Sequence, residues 1–460
     1  MAGAYGTSVD TGARQATVRV DRRLGVTAAA GFGASGVSCG IKPSGAPDLA
    51  LVVGDPGTVA AGVFTTNLVV AAPVVWSRDR LAASADARVV VLNSGNANAC
   101  TGPAGDAAVR ATVERAAAEL GCRTEQVLVC STGVIGVPLA VARVADGVAK
   151  AAAALDRSGG QAAAEAILTT DTVVKQAGAR VVGGATVGGM AKGAAMLAPE
   201  LSLAGVARPG SRPSSGDDSR ARRDPGRANL QTSGGLPHAT MLAVLTTDAV
   251  VDPEALRAAL AAGVTTTFNR ITVDGAQSTN DTVLLLASGA SGARVDPGDL
   301  GAAVEAVCRE LAGQMLADAE GGTKVVSLKV GGAGGVEGAL AVARRVADSP
   351  LVKTAVYGGD PNWGRVLQAA GTAGVGFDPG SVRLEVAGGP GAAGIEPPGG
   401  PLERVLLVDR GRPTGADASA AMAAREVEFR LHLGGTGPWA EIRTSDLTPE
   451  YVRLNSEYTT

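Results

Sequence analysis

The sequence predicts an α/β fold of packed layers, and three observations predict it. Short apolar runs of strand length alternate with longer helical stripes through the first half of the chain. The 460 residues are 46% hydrophobic and 18% charged, enough apolar material for two or three layers or two lobes. Glycine, at 65 residues, is about twice its usual ~7% share, so many tight turns and backbone-lined loops are expected.

The elements follow in order. Val89-Val-Val-Leu92 is a buried strand feeding a loop over Asn93–Gly102, and Asp106 then caps a helix running to Gly121. Val109, Val113, Ala116 and Leu120 form the apolar stripe of that helix. Val127-Leu-Val-Cys130 is the next strand and delivers Thr132-Gly133 at its end, where α/β proteins commonly place functional loops. A helix over 139–155 follows. In the second half 241–250, 282–287 and 324–330 read as strands, and 253–263 and 300–319 as helices.

Two segments break the alternation. Residues 387–401 are Gly- and Pro-rich and read as a surface connection. Neither this stretch nor Gly331-Gly-Ala-Gly-Gly335 is followed by the Lys-Ser/Thr of a phosphate loop. Residues 201–236 hold six arginines and three aspartates among Gly, Ser and Pro with no sustained period. They read as a flexible insertion, a solvated loop in preference to an Arg-rich docking segment.

Composition excludes several functions. A net charge of −3 gives no basis for nucleic-acid or anionic-membrane binding. No apolar run approaches the ~18 residues of a spanning helix, and the N-terminal stretch has no signal-peptide core, so a cytoplasmic protein is expected. The five cysteines, Cys39, Cys100, Cys122, Cys130 and Cys308, are odd in number and not at zinc-ligand spacing; they read as packing thiols, with a reactive Cys130 beside Thr132 as the alternative. With two histidines, His238 and His432, and His432 inside a strand pattern, a Ser-His-Asp hydrolase is disfavoured.

Ala239-Thr240 is the most informative dipeptide. A small residue precedes a threonine that opens an apolar run, Met241-Leu-Ala-Val-Leu245. A precursor that cuts itself there would turn Thr240 into an N-terminal nucleophile whose own α-amine, with a pKa of roughly 7.7–8.0, is its base.

Several stretches resemble the bifunctional glutamate N-acetyltransferase/ornithine acetyltransferase family of arginine biosynthesis. They are Ala60-Ala-Gly-Val-Phe-Thr-Thr-Asn67, Asn93-Ser-Gly-Asn-Ala-Asn-Ala-Cys-Thr-Gly102, Cys130-Ser-Thr-Gly-Val-Ile-Gly136, Thr169-Thr-Asp-Thr172 and Gly188-Gly-Met-Ala-Lys-Gly193. Beyond Thr240 come Asn269-Arg-Ile-Thr-Val-Asp274, Ser278-Thr-Asn-Asp-Thr282, Asp360-Pro-Asn-Trp-Gly-Arg365 and Asn455-Ser-Glu-Tyr-Thr-Thr460. The matches are collinear over nearly the whole chain.

The resemblance implies layered sheets and helices of the ornithine acetyltransferase type, two lobes, and autocatalytic cleavage between Ala239 and Thr240. An α chain, 1–239, and a β chain, 240–460, would stay together as α2β2 or larger. It implies transfer of acetyl from N-acetylornithine to glutamate through an acetyl-Thr240 ester, with Thr132 and Gly133 stabilising the oxyanion. Thr169, Lys192, Glu320, Asn455 and Thr460 would bind substrate, Lys192 its α-carboxylate and Glu320 its ammonium. No cofactor or metal is implied, and whether acetyl-CoA serves as a co-substrate stays open. The long segment between Lys192 and Thr240 departs from the family pattern. Two alternatives stand: an N-terminal-nucleophile amidase or aminopeptidase using the same threonine, and, if that segment blocks the cut, an unprocessed, non-catalytic paralogue. Asp274, Asn280, Asp281 and Arg365 are assigned to structural turns.

Overall fold

In the computed structural model, which describes residues 18–204, 240–394 and 400–457, the strand Leu242–Thr247 occupies the middle of a seven-stranded sheet. Thr186–Lys192 runs antiparallel on one side of it and Thr282–Ala287 parallel on the other. Lys175–Arg180 and Val20–Asp21 extend the first flank; Val59–Thr65 and Leu201–Leu203 extend the second. Strands from both sides of the proposed cut thus interdigitate in one sheet.

Both faces of this sheet are covered, which is why its strands read as unbroken apolar runs. Ala243, Leu245, Val283 and Leu285 point toward the helices Pro253–Thr266 and Pro297–Ala317. Leu242, Val244, Leu284 and Leu286 point the other way, onto Ala50, Val52, Leu92, Leu128 and Cys130 of a four-stranded sheet. That smaller sheet runs Phe32–Val37, Leu49–Gly54, Val89–Asn96, Val127–Val134. Its outer face, with Leu51, Val91 and Val129, packs on the helices Gly102–Leu120 and Val141–Ala153. The order is helices, sheet, sheet, helices. A third, seven-stranded sheet built from 271–445 packs helices 336–347, 350–357 and 363–370 into a core of its own. The expected layered α/β architecture is the one observed.

Local chemistry moved several boundaries. Asp106 lies inside its helix, not at the cap: the helix starts at Gly102 with Pro103 in its first turn, and it ends at Gly121 in the left-handed region, φ 59°. The last long helix begins at Pro297, not 300, because the Asp296 carboxylate accepts the Gly298 N–H. Both four-stranded-sheet strands run on past their apolar cores, to Asn96 and Val134, so Thr132-Gly133 lies within a strand end. Residues 201–203, assigned above to the insertion, form a strand paired with Val63–Thr65, and the remainder of 201–236 beyond 204 lies outside the described residues. Ala387 and Gly388 close a strand, and Ala392 and Ala393 are buried, so 387–401 is not purely a surface connection.

Candidate functional site

Register builds the site. Leu242 stands opposite Lys192 on one side and Thr282 on the other. Thr240, two residues before Leu242, therefore sits at the open end of the central strand, between the turn after Lys192 and the turn Ser278–Asp281. It is 3% exposed, and its hydroxyl lies 2.8 Å from that of Ser278. The Asp281 carboxylate accepts the Met241 N–H at 3.0 Å and the Ser278 N–H at 3.2 Å, so one group fixes both sides of that contact. Gly193 turns the chain beside Thr240 at φ +147°, a conformation closed to other residues.

Thr132 and Gly133 reach the same place from the second sheet. The Asn280 amide donates to Ala97 O at 2.7 Å and Ser131 O at 2.9 Å, tying the Ser278 turn to the strand that carries Thr132. Gly133 adopts φ +132°, and a Cβ there would stand 2.3 Å from the Gly95 carbonyl carbon. Lys192, fully buried, donates to Thr169 Oγ1 at 2.5 Å and Thr132 Oγ1 at 3.3 Å, with Asp171 Oδ2 at 3.6 Å. An ammonium only donates, so both hydroxyls accept from it and keep their own protons for another partner.

Behind Lys192 lies a buried charge network. Asp171 accepts from Lys175 at 2.7 Å and from the Gly193 N–H at 2.6 Å, and Lys175 also pairs with Asp318 at 2.5 Å. Burial alone would raise the Asp171 pKa, but the Lys192 and Lys175 charges hold it below the carboxylate range. Burial depresses Lys192, against the charges of Asp171 and Glu320. Burial pushes Asp281 up to about 7, with the Met241 and Ser278 amides opposing. Burial holds Lys42 at about 8, with the Asp48 charge opposing.

Glu320 is 6% exposed; Asn455, on the helix Pro449–Glu457, donates to its Oε2 at 3.1 Å. Its Oε1 is buried without a hydrogen-bond partner among the described residues. A carboxylate oxygen left dry and unpaired is suited to a cationic ligand group. Ala239 and Thr460 lie outside the described residues, as does His238.

Lys192 and Glu320 are both buried, unlike solvated surface charges. Cys130 is a packing thiol, pushed up to about 12 by burial. His432 accepts the Gly434 N–H and lies against Trp439, a structural role. Asp274 caps the turn at Met196 and Leu197, and Arg365 holds Leu351 O, so both are structural as assigned. Asp281 is not only a turn residue, because it grips the Met241 N–H between Thr240 and the strand Leu242–Thr247. Sequence reasoning also passed over Ser278, Asp171 and Lys175. Ser278 and Asp171 stand inside motifs already singled out; Lys175 carried no signal.

Hydroxyls, ammonium groups and carboxylates gathered dry at strand ends define a layered α/β enzyme. Residues 33–460 match the model of the ArgJ family. The arginine biosynthesis bifunctional protein ArgJ of Thermobifida fusca is 42% identical over 439 residues, 95% of this chain and 100% of that protein. Its namesake in Mycobacterium leprae is 45% identical over 450 residues, 96% of this chain and 97% of that one. A crystal structure of ornithine acetyltransferase complexed with ornithine, from Mycobacterium tuberculosis, matches at 51% identity over 40% of this chain and 100% of its own, with a TM-score of 0.40. The chain belongs to the ArgJ family.

Among the described residues no helix is long and apolar enough to cross a membrane.

Proposed function

We propose that this enzyme of arginine biosynthesis moves the acetyl group of N-acetylornithine to glutamate through an ester on Thr240, after cutting its own chain between Ala239 and Thr240. The observation that carries this reading is the place of Thr240: at the end of the central strand, dry, with its hydroxyl held by Ser278 and flanked by Lys192 and Thr132. Membership of the ArgJ family supports the reaction class.

In the transfer, the freed α-amine of Thr240 takes the hydroxyl proton as Oγ attacks the acetyl carbonyl. The Thr132 hydroxyl and Gly133 N–H receive the oxyanion, and ornithine leaves as the amine. Glutamate's amine then attacks the acetyl-Thr240 ester. Glu320 Oε1 suits the side-chain ammonium of ornithine. Lys192 suits an α-carboxylate, which would enter by exchanging with the Thr169 or Thr132 hydroxyl on its ammonium. The chemistry calls for no resident cofactor; acetyl-CoA would act as an alternative acetyl donor to the same threonine. The two chains share the central sheet, which supports their staying associated after the cut; the α2β2 or larger assembly is proposed from family membership alone.

Intact masses and fragment N-termini of wild type and Thr240→Ala test the cut. Wild type is expected as two chains, one starting at Thr240, and the variant as one; an intact wild type would overturn the reading. Initial rates with N-acetylornithine and glutamate should give the parallel lines of ping-pong kinetics. Hydrolysis of N-acetylornithine at full rate without glutamate would favour an amidase instead.

A further inference from the structure

The α-amine scheme leaves the first reaction without a base. In the uncut chain the Thr240 nitrogen is an amide, part of the very bond that breaks, and its lone pair is delocalised into the carbonyl. It cannot take the Thr240 hydroxyl proton. His432 is no substitute, since it lies against Trp439 on the third sheet, and His238 lies outside the described residues. One group touches Thr240 Oγ1 among the described residues: the Ser278 hydroxyl, at 2.8 Å.

Ser278 is held for that contact from every side. Its side chain is fully buried, its Oγ accepts the Asn280 N–H at 3.1 Å, and its carbonyl accepts the Thr65 hydroxyl at 2.7 Å. Its N–H donates to Asp281 Oδ2, while Asp281 Oδ1 takes the Met241 N–H immediately after the nucleophile. These bonds fix the Ser278 hydroxyl and backbone beside Thr240.

We propose that Ser278 is a catalytic residue of self-cleavage, relaying the proton of Thr240 Oγ1 to the departing Thr240 nitrogen. As Thr240 Oγ1 bonds to the carbonyl carbon of Ala239, its proton passes to Ser278 Oγ. As the carbon–nitrogen bond breaks, Ser278 gives its own proton to that nitrogen. The shift is neutral overall, yields an ester and an amine, and leaves Ser278 a hydroxyl again. Water then opens the ester, giving the Ala239 carboxyl group and restoring the Thr240 hydroxyl. Asp281 is a positioning residue, holding both partners by their backbone.

This inference rests on the self-cleavage reading, and the test separates the two. Full-length wild type, Thr240→Ala, Ser278→Ala and Ser278→Thr are followed by intact mass from synthesis onward. Expected are two chains for wild type, one for Thr240→Ala, cleavage slowed about 10²-fold or more for Ser278→Ala, and recovered cleavage for Ser278→Thr, which keeps the hydroxyl. Recovery by threonine separates a lost proton relay from a misfolded turn. Ser278→Ala cutting at the wild-type rate while Thr240→Ala stays whole overturns the relay alone. Ser278→Thr staying as slow as Ser278→Ala also overturns it. An uncut wild type overturns self-cleavage and the relay with it.

Discussion

Lys175 and Asp171 form an ion pair at 2.7 Å with both side chains fully buried. The pair is a pivot: Asp171 also takes the Gly193 N–H and faces Lys192, and Lys175 also takes Asp318. Removing one partner leaves the others dry and charged. Lys175→Ala is expected to destabilise the fold by about 3–5 kcal/mol. Denaturant unfolding in the Thr240→Ala background, expected to remain one chain, checks this; a change below about 1 kcal/mol would show the network to be dispensable.

Asp281 gives a pH signature. Its folded pKa is raised to about 7 from 3.8 by burial, so between those values the folded state holds a proton that the unfolded chain has lost. Its contribution is fully present below pH 3.8 and is lost as pH rises toward 7. In the same background, melting temperatures from pH 4.5 to 7.5 should show a smaller fall for Asp281→Asn than for the parent. Identical slopes would place the titration elsewhere.

Thr132→Val keeps shape but removes the hydroxyl. If Thr132 donates to the oxyanion, kcat for acetyl transfer should fall about 10²–10³-fold with little change in KM. A rise in KM at constant kcat would assign Thr132 to ground-state binding.

Glu320→Gln removes the charge proposed to face the substrate's ammonium while keeping the Asn455 side in place. The expected result is a loss of about 10²-fold in kcat/KM for N-acetylornithine, and a much smaller loss for an N-acetylated amino acid with an uncharged side chain. Equal losses would show that Glu320 acts on the protein, not on the substrate's cation.

Gly133→Ala should abolish acetyl transfer. A methyl group there would press on the Gly95 and Asn96 backbone, which has no flexible end to move aside. Activity at the wild-type level would mean that the strand end relaxes without harm to the site.

The layered fold was legible because both faces of its inner strands are covered, giving apolar runs such as Val89–Leu92 and Leu242–Leu245. Boundaries were less legible: the Asp296-Pro297 and Thr101–Pro103 starts depend on cap geometry, and Leu201–Leu203 pairs with a strand far away in sequence. Thr240, Thr132, Lys192, Thr169, Glu320 and Asn455 stood out through their motifs, and hydrogen bonds link Thr132, Lys192 and Thr169, and separately Asn455 and Glu320. Asp281 looked like an ordinary Asx turn and Ser278 drew no assignment, since their place beside Thr240 comes from parallel pairing of Leu242 with Thr282, a contact that no local pattern encodes. Lys175 was silent because its second partner, Asp318, lies far away in sequence, beyond the proposed cut.

The central claim is that Thr240 carries the acetyl group. Processed enzyme mixed with N-acetylornithine, without glutamate, and quenched in acid should yield a β chain one acetyl group heavier, with the ester on Thr240. Adding glutamate before the quench should remove it. A β chain of unchanged mass under turnover, or an acetyl group on any other residue, would contradict the account.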